Sequence, residues 1–152
     1  VLSRKWLAGW KDRQGLDWAT PGGGIYGPKV MLIDQDAGSG GDWMPYAFRE
    51  SGLGTLIGRR TWGGLIGISA NPGLMDGGTL TVPFFRFFDT NGRYTIENEG
   101  VAPDIRVDLD PFAADRGQDT QLDAAIATVL QQLETAESPV RPAPPYPTEI
   151  GK

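Results

Sequence analysis

The segment Lys29–Glu50 constrains the possible folds of this chain more than any other part of its sequence. Val30–Ile33 is a short, continuous apolar run, which is typical of a strand buried on both faces of a sheet. Glycines stand on both sides of Ser39, so the backbone can turn sharply there and a ligand can approach closely. Apolar residues then recur at helical spacing, with Pro45 tolerated in a first turn. The segment predicts a strand, a tight turn and a helix.

Ser39 is a candidate nucleophile because of its place in this segment. Unpaired backbone N–H groups at a helix start can stabilise an oxyanion beside such a serine. Joints rich in glycine and serine also occur without any chemistry, so the residues alone leave both interpretations open. The turn is similar to an α/β-hydrolase nucleophile elbow, but Ala37 stands where the first glycine of G-x-S-x-G belongs. A phosphate loop is disfavoured because no Gly-Lys-Ser/Thr follows.

The composition restricts the chemistry further. The 152 residues suffice for one domain with a core, and they include no cysteine, which excludes disulfides, thiolate metal sites and a cysteine nucleophile. They include no histidine either, although histidine is the usual base that activates a serine. A net charge of −5 argues against nucleic acid as a partner, and no apolar run is long enough to span a membrane. We expect no metal and no cofactor.

The rest of the chain contains weaker signals. Apolar spacing and turn residues predict the end of a helix at Val1–Trp10, strands at Thr55–Thr61, Thr79–Phe88, Arg93–Ile96 and Ile105–Leu109, and a helix at Asp119–Leu133. Lys11–Thr20 is polar and is expected to be irregular. Asp89–Gly92 predicts a hairpin turn. Ser138–Lys152 holds five prolines and is expected to be an extended arm or a flexible tail, distinct from Val1–Glu137.

Several spaced motifs, taken together, resemble the tricorn-type serine proteases, which are relatives of the carboxyl-terminal processing proteases. The matching segments are Ile25–Val30, Ala37–Asp42, Pro45–Arg49, Gly52–Gly54, Ile57–Gly64 and Glu97–Asp104, in the expected order. The resemblance covers most of the chain from Val1 to about Leu133. It implies an α/β fold: the C-terminal portion of a crotonase-like or ClpP-like catalytic core, with a mixed sheet, flanking helices and a β-hairpin.

The resemblance also implies roles for individual residues. Ser39 is expected to be the nucleophile and the backbone N–H of Gly40 an oxyanion donor. Glu97 matches the acidic member, which acts through a second serine to hold the catalytic histidine. Residues that border the substrate cleft are expected at Gly64, Ile66 and Ile68.

In this family the histidine and its supporting serine lie upstream, and the present chain has no histidine. We therefore expect a serine peptidase that hydrolyses peptides through an acyl-enzyme, is completed by an upstream catalytic half, and is nearly inactive as this chain alone. The family further implies a cytoplasmic homo-oligomer. The alternative is a non-catalytic, crotonase-like module that binds peptides or acts as a scaffold, which the absence of histidine favours if the chain is a whole protein.

Overall fold

The computed structural model describes residues 1–68 and 71–147. The chain forms two compact units, one from Val1–Pro28 with Gln131–Lys152 and the other from Lys29–Leu130. The described strands are β1 (Ala8–Lys11), β2 (Asp17–Thr20), β3 (Val30–Ile33), β4 (Thr55–Gly58) and β5 (Ile105–Arg106). The described helices are α1 (Gly40–Glu50), α2 (Pro111–Asp115) and α3 (Thr120–Thr135). The predicted α/β class is confirmed.

A parallel sheet with the strand order β3-β4-β5 forms the centre of the larger unit. Ile33 pairs with Gly58, and Ile57 pairs with Ile105. Parallel neighbours need a crossover connection, and α1 supplies it between β3 and β4. The carboxyl ends of the strands therefore meet at one edge, which is where α/β proteins usually place a ligand. The chain leaves β3 at this edge and passes through a turn to Ser39, directly before α1.

The core of this unit is centred on β4, whose Leu56 and Ile57 are fully buried, rather than on β3. β3 is at the edge of the sheet, and Leu32 remains 42 % exposed while its neighbour Ile33 is buried. The expectation that β3 is buried on both faces is therefore wrong. Gly58 ends β4 with a φ of 125°, and a Cβ there would lie 2.1 Å from the carbonyl oxygen of Ile33. Only glycine allows β3 and β4 to approach so closely at this point.

The smaller unit contains an antiparallel hairpin, β1–β2, in which Trp10 pairs with Trp18. The predicted helix at Val1–Trp10 is wrong, and so is the irregular structure expected over Lys11–Thr20. A turn between the strands explains the difference, because the side chain of Asp12 accepts hydrogen bonds from the N–H groups of Gln14 and Leu16. This local hydrogen bonding closes a hairpin and competes with helix formation.

The predicted strands Thr79–Phe88 and Arg93–Ile96 do not form. Isolated antiparallel bridges replace them, pairing Gly67 with Phe85, Gly73 with Thr79, and Phe88 with Tyr94. Pro83 lacks a backbone N–H and interrupts any continuous ladder through this segment.

The predicted turn at Asp89–Gly92 is confirmed by hydrogen bonds that Asp89 and Arg93 share across it. The backbone N–H of Arg93 holds the pKa of the Asp89 carboxyl below its ordinary value, against a weaker opposing effect of burial, and Asn91 adds to the lowering.

Two helices follow β5. The predicted helix at Asp119–Leu133 is confirmed as α3, and the Asp119 side chain caps it by accepting from the N–H groups of Gln121 and Leu122. The short helix α2 was not predicted, although its sequence signal is present: Asp110 caps it and Pro111 occupies its first turn. Residues 138–147 of the proline-rich tail are neither helix nor strand; the remaining tail positions lie outside the described residues.

Candidate active site

Ser39 stands at the joint between β3 and α1, in an unusual backbone conformation. Its φ is 54° and its ψ is −111°, which is uncommon for a residue other than glycine. Its carbonyl oxygen accepts the N–H of Trp43, so Ser39 is the N-cap of α1. Its side chain does not cap the helix and the residue is exposed, which leaves the hydroxyl available to a ligand.

Gly40 is the first residue of α1. Within residues 1–68 and 71–147, its backbone N–H donates to no acceptor, and a Cβ on Gly40 would meet no atom within 4 Å. The first N–H groups of a helix carry partial positive charge. An open N–H directly after Ser39 is therefore a ready donor for an oxyanion.

The side chain of Asp42, in the first turn of α1, binds the backbone of Gly63 and Gly64 in the segment after β4. The Asp42 side chain is fully buried, and its two oxygens accept from the N–H groups of Gly63 at 2.8 Å and Gly64 at 3.0 Å. In return the N–H of Ser39 donates to the carbonyl oxygen of Gly64 at 3.0 Å. No role for Asp42 was predicted from the sequence, although an acidic residue in the first turn of a helix is a signal for one.

Glu97 binds the same segment two residues further on. Its Oε2 accepts from the N–H groups of Leu65 and Ile66, both at 2.7 Å, and its side chain is half-buried. Asn98, with a φ of 62°, donates its N–H to the carbonyl oxygen of Gly63. The Oε1 atom of Glu97 accepts no hydrogen bond from the described part of the chain.

The structure thus brings five of the six predicted site residues together around the short segment Gly63–Ile66. Ser39 contacts Gly64, Glu97 contacts Ile66, and Gly40 follows Ser39 directly. Ile68 is 52 % exposed and lies beyond this contact, next to residues 69 and 70, which the structure does not describe.

An apolar recess of about 370 Å³ adjoins this segment. Its lining residues are Trp43, Leu65, Phe85, Arg86, Phe87 and Phe88. Trp43 and Phe87 meet edge to face with ring centroids 5.0 Å apart, and Tyr46 lies 5.2 Å from Phe87. Partial burial raises the pKa of Tyr46, and the carboxylates of Glu50 and Asp89 raise it further. Two lining residues are linked to the serine through the backbone: the N–H of Trp43 donates to the carbonyl oxygen of Ser39, and Leu65 follows Gly64, which accepts from the N–H of Ser39.

Neither a metal site nor a membrane span is found in the residues that the structure describes. No group of three or more His, Cys, Asp or Glu side chains is arranged there to bind a metal ion. None of the described helices combines the length and apolar character that crossing a membrane requires.

The chain is similar in sequence to tricorn proteases and their homologues. Tricorn protease of Thermoplasma acidophilum is 37% identical over 133 residues, which is 86% of this chain and 12% of that protein. Tricorn protease homolog 1 of Streptomyces coelicolor is 37% identical over 147 residues, which is 96% of this chain and 14% of the relative. The chain thus spans only a small part of the length of these relatives.

The structural comparison agrees. The crystal structure of the tricorn protease superposes with a TM-score of 0.81 at 35% identity, covering 87% of this chain and 13% of that one. This confirms both the fold and the family resemblance inferred from the motifs. The model of Peptidase family S41 matches residues 11–107, which is more than half of the chain. The chain therefore belongs to peptidase family S41.

Proposed function

We propose that this chain supplies the nucleophile of a serine peptidase that hydrolyses peptides, with Ser39 as that nucleophile. One observation supports this above all: the exposed Ser39 hydroxyl stands at a strand-to-helix joint, directly before the open N–H of Gly40. Nucleophile and oxyanion donor are thus adjacent on a rigid helix start, as acyl transfer requires.

The proposed reaction proceeds through an acyl-enzyme. A base takes the hydroxyl proton of Ser39 as the serine oxygen attacks the carbonyl carbon of a peptide bond, and the carbonyl oxygen takes the negative charge beside the N–H of Gly40. Collapse of this intermediate breaks the C–N bond, and the amine leaves with a proton from the base. Water then hydrolyses the ester and releases Ser39.

The base must come from outside this sequence, because the chain contains no histidine. We propose that an upstream catalytic half supplies a histidine and a supporting serine. The open Oε1 of Glu97 is the acceptor that would bind this serine, while Oε2 holds Leu65 and Ile66. Removing the catalytic base costs at least as much as removing an oxyanion donor, which lowers kcat by about 10²–10³-fold. The present chain alone is therefore expected to be nearly inactive.

Labelling with a fluorophosphonate, which reacts with activated serines, tests this proposal. The chain alone is compared with the chain produced together with its upstream sequence. Ser39→Ala is the test variant, and Ser51→Ala is its matched control, because Ser51 is an exposed serine at the other end of the same helix. We expect strong labelling only in the longer protein, its loss in Ser39→Ala, and its retention in Ser51→Ala.

The second candidate is a peptide-binding module without catalysis, and the absence of histidine is the observation that favours it. The same experiment separates the two candidates. Labelling of neither protein, combined with peptide binding that Ser39→Ala leaves unchanged, would replace the peptidase proposal with this one.

The apolar recess gives the proposed site a preference for its substrate. We propose that an apolar or aromatic side chain next to the scissile bond occupies the space between Trp43, Leu65 and Phe87. Because an apolar pocket discriminates by about 1–3 kcal/mol, Trp43→Ala should lower kcat/KM about tenfold for substrates with an aromatic residue at this position. Substrates with alanine there should change much less. Equal losses for both substrates in assays of the longer protein would contradict this preference.

The family also leads us to propose a cytoplasmic homo-oligomer that acts on peptides. Equilibrium sedimentation of the longer protein tests the assembly, and a single species with the mass of one subunit would refute it.

A further inference from the structure

The smaller unit exposes an aromatic surface on its hairpin, which we call the tryptophan hairpin and define as β1 and β2. Trp10 and Trp18 are directly opposite each other across the two strands, and they are 57 % and 52 % exposed. The side-chain N–H of Trp10 donates to Thr20 at 2.5 Å, which fixes the orientation of its ring. Indole rings so exposed on a small hairpin are unusual in a soluble surface and mark an interaction site.

The chain's own tail, residues 138–147, is already seated on this hairpin. Tyr146 makes two contacts with it: the ammonium group of Lys11 lies 4.7 Å from the centre of the tyrosine ring, and the tyrosine hydroxyl donates to the carbonyl oxygen of Asp12. Between hairpin and tail a cavity of about 710 Å³ remains, lined on one side by residues that include Trp6, Trp10 and Trp18, and on the other by tail residues, four of which are prolines. The tail therefore covers the hairpin without filling the space against it.

The chemistry of hairpin and tail is complementary. A proline-rich chain lacks many backbone N–H groups, is extended before it binds, and presents apolar rings together with free carbonyl oxygens. Aromatic grooves recognise such chains by packing against the rings and donating to the carbonyls. Trp6, which lines the cavity, also has a buried indole N–H that finds no acceptor among the described residues.

We propose that the tryptophan hairpin is a binding site for proline-rich peptides that contain an aromatic residue, and that the chain's own tail occupies it as a replaceable ligand. Tyr146, through its contacts with Lys11 and Asp12, anchors the tail to the hairpin, and we call it the latch. The tail is tethered by a short connection after α3, so it competes at an effective concentration of about millimolar. The site lies entirely within the smaller unit and does not depend on the proposed peptidase activity.

The test uses a protein with all 152 residues of this sequence and a separate peptide with the sequence of residues 138–147. Binding is measured by calorimetry and by the NMR signals of the indole N–H groups of Trp10 and Trp18. Tyr146→Ala should shift both signals, because it releases the latch, and should bind the separate peptide about tenfold more tightly than the unaltered chain, because the tail then competes less. Addition of the peptide should return both signals toward their original positions.

Two controls define the outcome. Pro139→Ala alters a proline of the tail that does not line the cavity, so it should bind the peptide as the unaltered chain does. A peptide with alanine in place of its tyrosine should bind much more weakly. The proposal is overturned if Tyr146→Ala leaves the Trp10 and Trp18 signals unmoved, or if this variant binds the peptide no better than the unaltered chain.

Discussion

Asp42→Ala is expected to lower the free energy of unfolding of this chain by about 3 kcal/mol. The substitution leaves the N–H groups of Gly63 and Gly64 without an acceptor, and a buried donor without a partner costs about 1–3 kcal/mol. No other acceptor can readily take the place of the carboxyl group, because Gly63 is tightly packed. A Cβ on Gly63 would lie within 3 Å of the backbone of Glu99 and Gly100. The segment that also binds Ser39 should therefore loosen.

Asp42→Asn separates hydrogen bonding from size. The amide has nearly the same shape, but only one of its two polar atoms can accept, so about half of the loss should remain. Urea denaturation measures both values, and Asp36→Ala is the control, because Asp36 is exposed. Hydrogen exchange should also become faster at Gly63 and Gly64. An Asp42→Ala variant as stable as Asp36→Ala would show that these bonds contribute nothing.

Glu97→Gln is expected to lower kcat of the longer protein by about 10²-fold or more, with little change in stability. The glutamine oxygen can still accept from Leu65 and Ile66, but an NH₂ group then replaces the open Oε1 acceptor. A donor at this place cannot hold the hydroxyl proton of the proposed upstream serine, and misorientation of a catalytic histidine by one wrong partner is known to be costly. The proposed mechanism thus gives Glu97 the role of a positioning residue.

The comparison with Glu97→Ala makes this role distinguishable from a purely structural one. Alanine removes both functions of the side chain, so stability and kcat should fall together, whereas glutamine should reduce kcat alone with KM nearly unchanged. Glu99→Gln is the matched control, since Glu99 is an exposed neighbour whose side chain has no hydrogen-bond partner in the described residues. Equal kcat values for Glu97→Gln and Glu99→Gln would contradict the proposed role.

Elements with strong local signals were predicted well. β3 occupies the apolar run Val30–Ile33, α3 begins after the capping Asp119, and the turn at Asp89 forms as its Asn-Gly pair indicates. Each depends on interactions between residues close in sequence, which a pattern can report. The motifs around Ser39 likewise identified the family before any geometry was known, because their spacing is specific.

The wrong strand and helix predictions had causes that apolar periodicity does not report. Apolar spacing at Val1–Trp10 is compatible with a helix, yet Trp10 finds its partner in Trp18 across a turn. Thr79–Phe88 alternates like a strand, but it forms only isolated bridges, since Pro83 removes a ladder bond and no long neighbour is available among the described strands. A periodic pattern reports the preference of a segment, whereas pairing depends on which partner reaches it.

In the candidate site, too, features that are local in sequence could be predicted and long-range hydrogen bonds could not. The order of residues is enough to place Ser39 between a strand and a helix and to show that this chain has no histidine. The folded chain is needed to see that Asp42 and Glu97, 55 positions apart in the numbering of the chain, both bind the segment Gly63–Ile66 beside that serine. Their bonds to backbone N–H groups use no side chain of the partner, so they leave no trace in the residue types of the segment they hold.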